Sequence, residues 1–227
     1  MIPLQTWLDD VEVSAGTLIL IRDLTELRDR DRQLVTKDAT IREIHHRVKN
    51  NLQTVAALLR MQSRRISNPD AKDALKQAMG RVSAIAVVHE ILSQNFEEQV
   101  AFDEVADRIL HMVGDVAASS GSVVARREGS FGDVPAETAT ALSLATTELC
   151  QNAIEHSLDS SSGNVIVRPH RTDDALVVDI VSDGKPLPAG FSLDDHRSSL
   201  GLSIVTTLVQ DLDGTFTLEN NSDRVGT

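Results

Sequence analysis

The chain has 227 residues, room for one large or two modest domains. Hydrophobic residues make up 41% and charged residues 25%, which excludes wholesale disorder and low-complexity structure. Lys and Arg number 22 against 34 Asp and Glu, a net charge of −12 that argues against general binding to nucleic acid or an anionic membrane, and five Phe, one Trp and no Tyr make no stacking platform for bases.

Taken in chain order, residues 17–21 (TLILI) predict one strand, ended by Arg22-Asp23-Leu24-Thr25. Its apolar stretch, Leu18–Ile21, is far short of the roughly 20 residues that span a bilayer. Asp9, Asp10 and Glu12 stand where a signal peptide carries positive charge and an apolar core. The expectation is a cytoplasmic protein, or a cytoplasmic piece of a larger one, with no membrane span. Residues 26–65 hold no Gly and no Pro and predict a long helix. Ser67-Asn68-Pro69-Asp70 breaks it, and Pro69 opens a second helix over about 70–93.

The first helix carries an apolar stripe at Ile41, Ile44, Val48, Leu52, Val55 and Leu59, and the second at Leu75, Met79, Val82, Ile85 and Leu92. Two such faces only partly bury each other, so a homodimer is expected, with two hairpins forming a four-helix bundle. The charged segment before the hairpin extends this as a parallel coiled coil. The other reading is a monomeric hairpin packed on the rest of the chain.

Phe102, Val105, Ile109, Met112 and Val116 predict a further amphipathic helix. Strands are expected at Val123–Ala125, Val165–Val167 and Ala175–Val181, with Arg171-Thr172-Asp173-Asp174 turning between the last two. Helices are expected over Pro135–His156 and about 200–211, the latter ending before Asp213-Gly214, and a last strand over Thr215–Leu218. The lone Cys150 forms no internal disulfide and no zinc cluster, as suits a reducing compartment. The fold class is α+β, an α/β sandwich with helices on one face of a mixed sheet following the helical hairpin.

Four segments carry chemistry. In EIHHRVKNNLQ, His45 falls roughly 55° and His46 roughly 155° from the centre of the apolar stripe, so His46 points to solvent and His45 borders the core. Asn50, four residues on, shares the outward face of His46. An exposed imidazole is a competent nucleophile near neutral pH. In TTELCQNAIEHS, Glu148, Asn152 and His156 lie on one helical stripe, and a carboxylate beside a carboxamide suits Mg²⁺ holding nucleotide phosphates. VSDGKPLP (Val181–Pro188) bends after a strand, and Gly201 in SLGLSIV (Ser199–Val205) opens a helix where N–H groups can meet a phosphate. No GxxxxGK[ST] and no GxGxxG occurs. The long polar connection 184–199 is expected to be a nucleotide lid anchored by Phe191.

In this order, HHRVKNNLQ, ELCQNAIEH, VSDGKPLP and SLGLSIV resemble the H, N, G1 and G2 boxes of bacterial sensor histidine kinases, and the first resembles the HHRVKNNLQ class related to the HWE kinases. The resemblance implies a dimerising hairpin (residues 25–95, including a signalling helix) and a GHKL, or Bergerat, ATP-binding domain (96–227) that stops short of the family's last strand. Residues 1–24 then resemble the end of a PAS-like sensor domain. It implies His46 as the phosphoacceptor, with Asn50 beside it, Asn152 as the Mg²⁺ and phosphate ligand, and Glu148 as its acidic partner, near the metal or activating a water. His156 flanks the phosphates, Asp183 and Gly184 lie in the adenine loop, and Gly201 and Leu202 in the phosphate-facing turn. ATP and Mg²⁺ are the implied cofactors, and a response regulator receiver domain the implied partner.

The chain departs from the family in two places. Arg47 stands where many such kinases have an acid after the phosphoacceptor. The adenine-binding position falls on Ser182 if Leu187-Pro188 fixes the register, with Pro186 at the second glycine, or on Asp183 otherwise. The alternative readings are a non-catalytic phosphotransfer or dimerisation module with a degenerate nucleotide site, and a GHKL ATPase or anti-sigma-type serine kinase, for which the hairpin is superfluous.

Overall fold

A computed structural model describes residues 2–8, 11–18, 25–94, 99–118, 123–158, 162–188, 191–193 and 200–220. The chain divides into two compact units, residues 1–40 and 41–227. In the first, strands β1 (Ile2–Leu8) and β2 (Val11–Leu18) pair antiparallel, Ile2 opposite Leu18 and Leu8 opposite Val11, with an irregularity at Leu4/Gln5. This corrects the expectation of a single strand at 17–21. Apolar residues alternate at Ile2, Leu4 and Leu8 and at Val11 and Val13, and that period of two places the strands earlier than the unbroken TLILI run suggests. Residues 19–24 lie outside the described residues.

Helix α1 (Thr25–Arg65) is the long glycine- and proline-free stretch, and it runs from the first unit into the second. Helix α2 (Pro69–Leu92) starts as its sequence dictates: Asn68 Oδ1 accepts from Ala71 N–H at 3.2 Å, and Pro69 occupies the first turn. The two helices form the expected antiparallel hairpin, tied by a 2.9 Å bond between His45 Nδ1 and His89 Nδ1 and by Lys49 3.9 Å from Glu90.

Helix α2 has a second buried face that the stripe analysis missed. Ala84, Val88 and Ile91 join the main core together with Leu92, an expected stripe residue, while the other stripe residues Leu75, Met79, Val82 and Ile85 are only half-buried. Small residues on this face, Gly80 and Ala84, let α2 lie close to its neighbour. The core therefore continues without interruption across residue 95.

Strand β3 (Gln99–Ala101) leads into helix α3 (Phe102–Ala118), followed by β4 (Val123–Arg127), β5 (Asp133–Pro135) and helix α4 (Ala136–Asn152). The short β3 and β5 pair antiparallel, a ladder too brief to show a sequence period. A π-helical turn, Ala153–Ser157, extends α4, and strands β6 (Gly163–Arg171) and β7 (Leu176–Ser182) follow. Helix α5 (Leu200–Asp211) ends at Asp213, which takes a left-handed φ of 54° beside Gly214. Among the described residues the main sheet has the order β4-β6-β7, with β4/β6 parallel and β6/β7 antiparallel, as expected of a mixed sheet with helices on one face.

The core lies between the sheet and α3 and α4. Phe102 and Phe131 are fully buried and meet edge to face, centroids 4.8 Å apart. Val165 and Val167 of β6 and Ile109 of α3 are equally buried. Ser143 and Thr147 sit inside because their hydroxyls donate to the carbonyls of Ala139 and Ser143, at 2.6 and 2.8 Å. Buried Cys150 has its thiol pushed up to about 12 by desolvation, so it stays a protonated core side chain.

The expected strand Thr215–Leu218 does not form. Just beyond that segment, Asn220 Oδ1 accepts from Leu187 N–H at 2.7 Å, and Asn220 Nδ2 donates to Leu187 O at 3.2 Å. Of the expected lid 184–199, residues 189–190 and 194–199 lie outside the described residues. Within it, Phe191 is half-buried and its N–H bonds to Pro188 O at 3.0 Å.

Candidate active site

The first part of the site is on the hairpin. His46 is exposed and His45 half-buried, as the helical wheel predicts. His45 is held by His89 across the hairpin; one ring donates and the other accepts. Asn50 is exposed one turn beyond His46, and Arg47 turns back to Glu43 in an exposed 2.7 Å ion pair. The tie between His45 and His89 fixes the rotation of α1, and so fixes which face carries His46.

Burial holds both tied rings below the ordinary imidazole range, reinforced for His45 by the neighbouring His46 and for His89 by His45. The unfolded chain takes up these protons near pH ~6.5, and the folded pair only at lower pH. The pair's contribution to stability is therefore complete above that value and is lost as pH falls through and below it. The native chain should lose more melting temperature between pH about 7.5 and about 5.5 than a His89→Gln variant does. Equal losses in a thermal-denaturation series would contradict this account.

The second part lies where α4 meets the start of α5. Glu148, 3% exposed, and Asn152, half-buried, project from successive turns of α4. Gly201, in the first turn of α5, passes so close that a Cβ there would stand 2.9 Å from Glu148 Oε2 and 3.5 to 3.6 Å from the Asn152 amide atoms. The structure thus brings Glu148, Asn152 and Gly201 together, with half-buried Leu202 beside them. The first N–H groups of α5 have no partner within the helix and suit an anion.

Glu148 does not stand alone. Arg81 of α2 grips it with both forks, Nε to Oε1 at 2.6 Å and Nη2 to Oε2 at 2.9 Å. The hydrogen bonds to Glu148 hold the guanidinium above its ordinary range against the cost of its partial burial. No sequence signal pointed to Arg81, because it lies 67 residues away on another helix.

His156 is not brought to this cluster. It falls in the π turn, whose wider winding breaks the i, i+4, i+8 stripe, and its side chain is exposed. The residues expected in the adenine loop form a separate, braced turn. Asp183 accepts from Asn164 N–H at 2.7 Å and Asn164 Nδ2 at 2.6 Å. Ser182 Oγ lies 2.8 Å from Ser157 Oγ, and Lys185 N–H bonds to Ser157 O at 2.8 Å. Gly184 lies against the Ser157 backbone, where any Cβ would clash.

Glu148 and Asn152 offer hard oxygen donors one turn apart, which fits Mg²⁺. Among the described residues no cluster of three or more His, Cys, Asp or Glu is placed to hold a metal. Mg²⁺ held by one or two side chains with phosphates and water completing the shell is the arrangement this donor set suits. No helix among the described residues is long and apolar enough to cross a membrane.

Residues 43–117 match the family model described as histidine kinase, and residues 116–223 match the histidine kinase-like ATPase domain. The chain is 51% identical over 214 residues to the sensor histidine kinase PdtaS of Mycobacterium tuberculosis, covering 93% of this chain and 42% of that protein. It is 52% identical over 204 residues to PdtaS of Mycolicibacterium smegmatis, covering 88% and 41%. The chain thus spans about two fifths of the length of these relatives. Among solved structures, the histidine kinase domain from the Erythrobacter litoralis EL346 blue-light activated histidine kinase matches with a TM-score of 0.58 at 25% identity, over 85% of this chain and 89% of that one. Two adjoining kinase domain models and half-identity over most of the chain agree with the geometry of helix histidine and acid–amide pair: the chain belongs to the histidine kinase family, in its HHRVKNNLQ class.

Proposed function

We propose that this chain is the catalytic core of a two-component sensor kinase, which transfers the γ-phosphoryl group of ATP to His46 and then to an aspartate of a response regulator receiver domain. The observation that carries this is the convergence of Glu148, Asn152 and Gly201 on one spot, with an exposed imidazole on the hairpin of the same unit. In this reading residues 25–95 are the signalling helix and phosphotransfer hairpin, 96–227 the nucleotide domain and 1–24 the end of a sensor domain, working in the cytoplasm.

An imidazole nitrogen of His46 attacks the γ-phosphorus, a P–N bond forms and ADP leaves. Asn50, on the same outward face, hydrogen-bonds the incoming phosphoryl group. Asn152 and Glu148 would hold Mg²⁺, which would supply charge neutralisation on the phosphates. Gly201 and Leu202 bring α5 N–H groups to the phosphates. Gly184 keeps the adenine loop against Ser157, and Asp183 braces it through Asn164. Ser182 presents its hydroxyl toward the end of α4.

The test is incubation with γ-labelled ATP and Mg²⁺, followed by acid and base treatment. Acid-labile, base-stable label is expected. A chain that neither binds ATP nor takes up label would favour the second reading, a non-catalytic phosphotransfer or dimerisation module with a degenerate nucleotide site. The engagement of the Asp183 carboxylate by Asn164 is the observation on that side.

The same reading includes a homodimer. Ile41, Ile44, Val55, Leu58 and Met61 of α1 are 42–54% exposed. A second hairpin covering them gains about 25 cal/mol per Å² of apolar surface. Light scattering at micromolar concentration should give the mass of two chains; the mass of one would count against it.

A further inference from the structure

We propose that Arg81, on hairpin helix α2, is a positioning residue for the kinase reaction and sets the orientation of the Glu148 carboxylate in the nucleotide site. The inference rests on the reading of that site given above. Both ends of the guanidinium meet both carboxylate oxygens, at 2.6 and 2.9 Å, and the two side chains are 18% and 3% exposed. A planar fork on a planar carboxylate fixes its rotation as well as its place, which a single point charge does not. The oxygen on the Nη2 side, Oε2, is the one that faces Gly201. The acid offered to nucleotide and metal is therefore aimed by a residue of the hairpin.

Contacts on either side of the ion pair give this coupling a mechanical base. Gly80, preceding Arg81, lacks the Cβ that would collide with the Gln151 amide, so α2 lies close on α4. One turn earlier, Gln77 Nε2 donates to Glu155 Oε2 at 3.2 Å. Residues 77, 80 and 81 thus face 155, 151 and 148 along one seam. Any slide or rotation of α2 against α4 moves the guanidinium, and the buried carboxylate must follow or lose its partner. Arg81 itself lies eight residues from His89, roughly 12 Å along the helix axis from the level of the His45–His89 tie. It acts through Glu148, and through it a change in hairpin packing reaches the nucleotide site.

The test uses the full chain with Mg²⁺ and labelled ATP, reading initial autophosphorylation rate against ATP concentration, with a melting curve for each variant. Arg81→Gln should lower the maximal rate about tenfold or more while KM for ATP stays within about threefold, and Arg81→Lys should recover part of the rate. Gln77→Ala, which breaks a neighbouring contact of the same seam, should leave the rate within about twofold. Where Arg81→Gln melts below assay temperature, Arg81→Lys decides: charge kept and fork lost, it should still fall about threefold or more in maximal rate at unchanged KM. Arg81 variants with native maximal rates, or a Gln77→Ala variant as damaged as Arg81→Gln, would overturn the proposal alone. A native chain that takes no label would overturn the kinase reading itself and this proposal with it.

Discussion

His46→Gln is expected to abolish incorporation of label from γ-labelled ATP, a loss of about 100-fold or more, while binding of an ATP analogue stays intact. The reason is the division of labour along the chain. His46 stands exposed on α1, whereas the acid, amide and glycine of the proposed nucleotide site stand on α4 and α5. A neutral amide at position 46 removes the nucleophile and touches nothing buried. His45→Gln is the contrasting variant. His45 is turned inward and tied to His89, so its loss loosens the hairpin and still leaves the nucleophile in place. It should retain a measurable share of the label. Label that persists in His46→Gln and disappears in His45→Gln would reverse the assignment of the two imidazoles.

Asn152→Ala is expected to lower Mg²⁺-dependent ATP binding or turnover by about 100-fold without unfolding the chain. Asn152 is half-buried one turn from Glu148, and its amide lies within 3.6 Å of where a Gly201 Cβ would sit. The substitution deletes an oxygen donor and leaves the helix backbone, with Ala a strong helix former. Comparing nucleotide affinity with and without Mg²⁺ isolates the metal-linked part. The native chain should bind more tightly with the ion, and the variant should show almost no difference. A variant that keeps full Mg²⁺-dependent activity would place the site elsewhere.

Elements whose reason is local could be read directly from the sequence. The Gly- and Pro-free run 26–65 became α1, Asn68-Pro69 capped α2, and Asp213-Gly214 stopped α5. Each follows from propensity or capping within a few residues. The opposite exposure of His45 and His46 follows from the helical period alone, as does the spacing of Glu148 and Asn152 one turn apart. These fixed the chemistry on offer: an outward imidazole and an acid–amide pair.

Tertiary structure decided how those groups are held. The grip of Arg81 on Glu148, the tie between His45 and His89, and the closeness of Gly201 to Asn152 join residues 44 to 67 positions apart, and no local pattern encodes such pairings. The same holds for the second buried face of α2, whose small residues read as indifferent until α4 is laid against them. It also explains two of the local expectations that failed. The stripe through His156 gave way to a π turn at the end of α4, where Ser157 bonds Ser182 and Lys185. Thr215–Leu218 has the composition of a strand, but strand formation needs a neighbouring backbone, and just beyond this segment it is the side chain of Asn220 that bonds the backbone of Leu187.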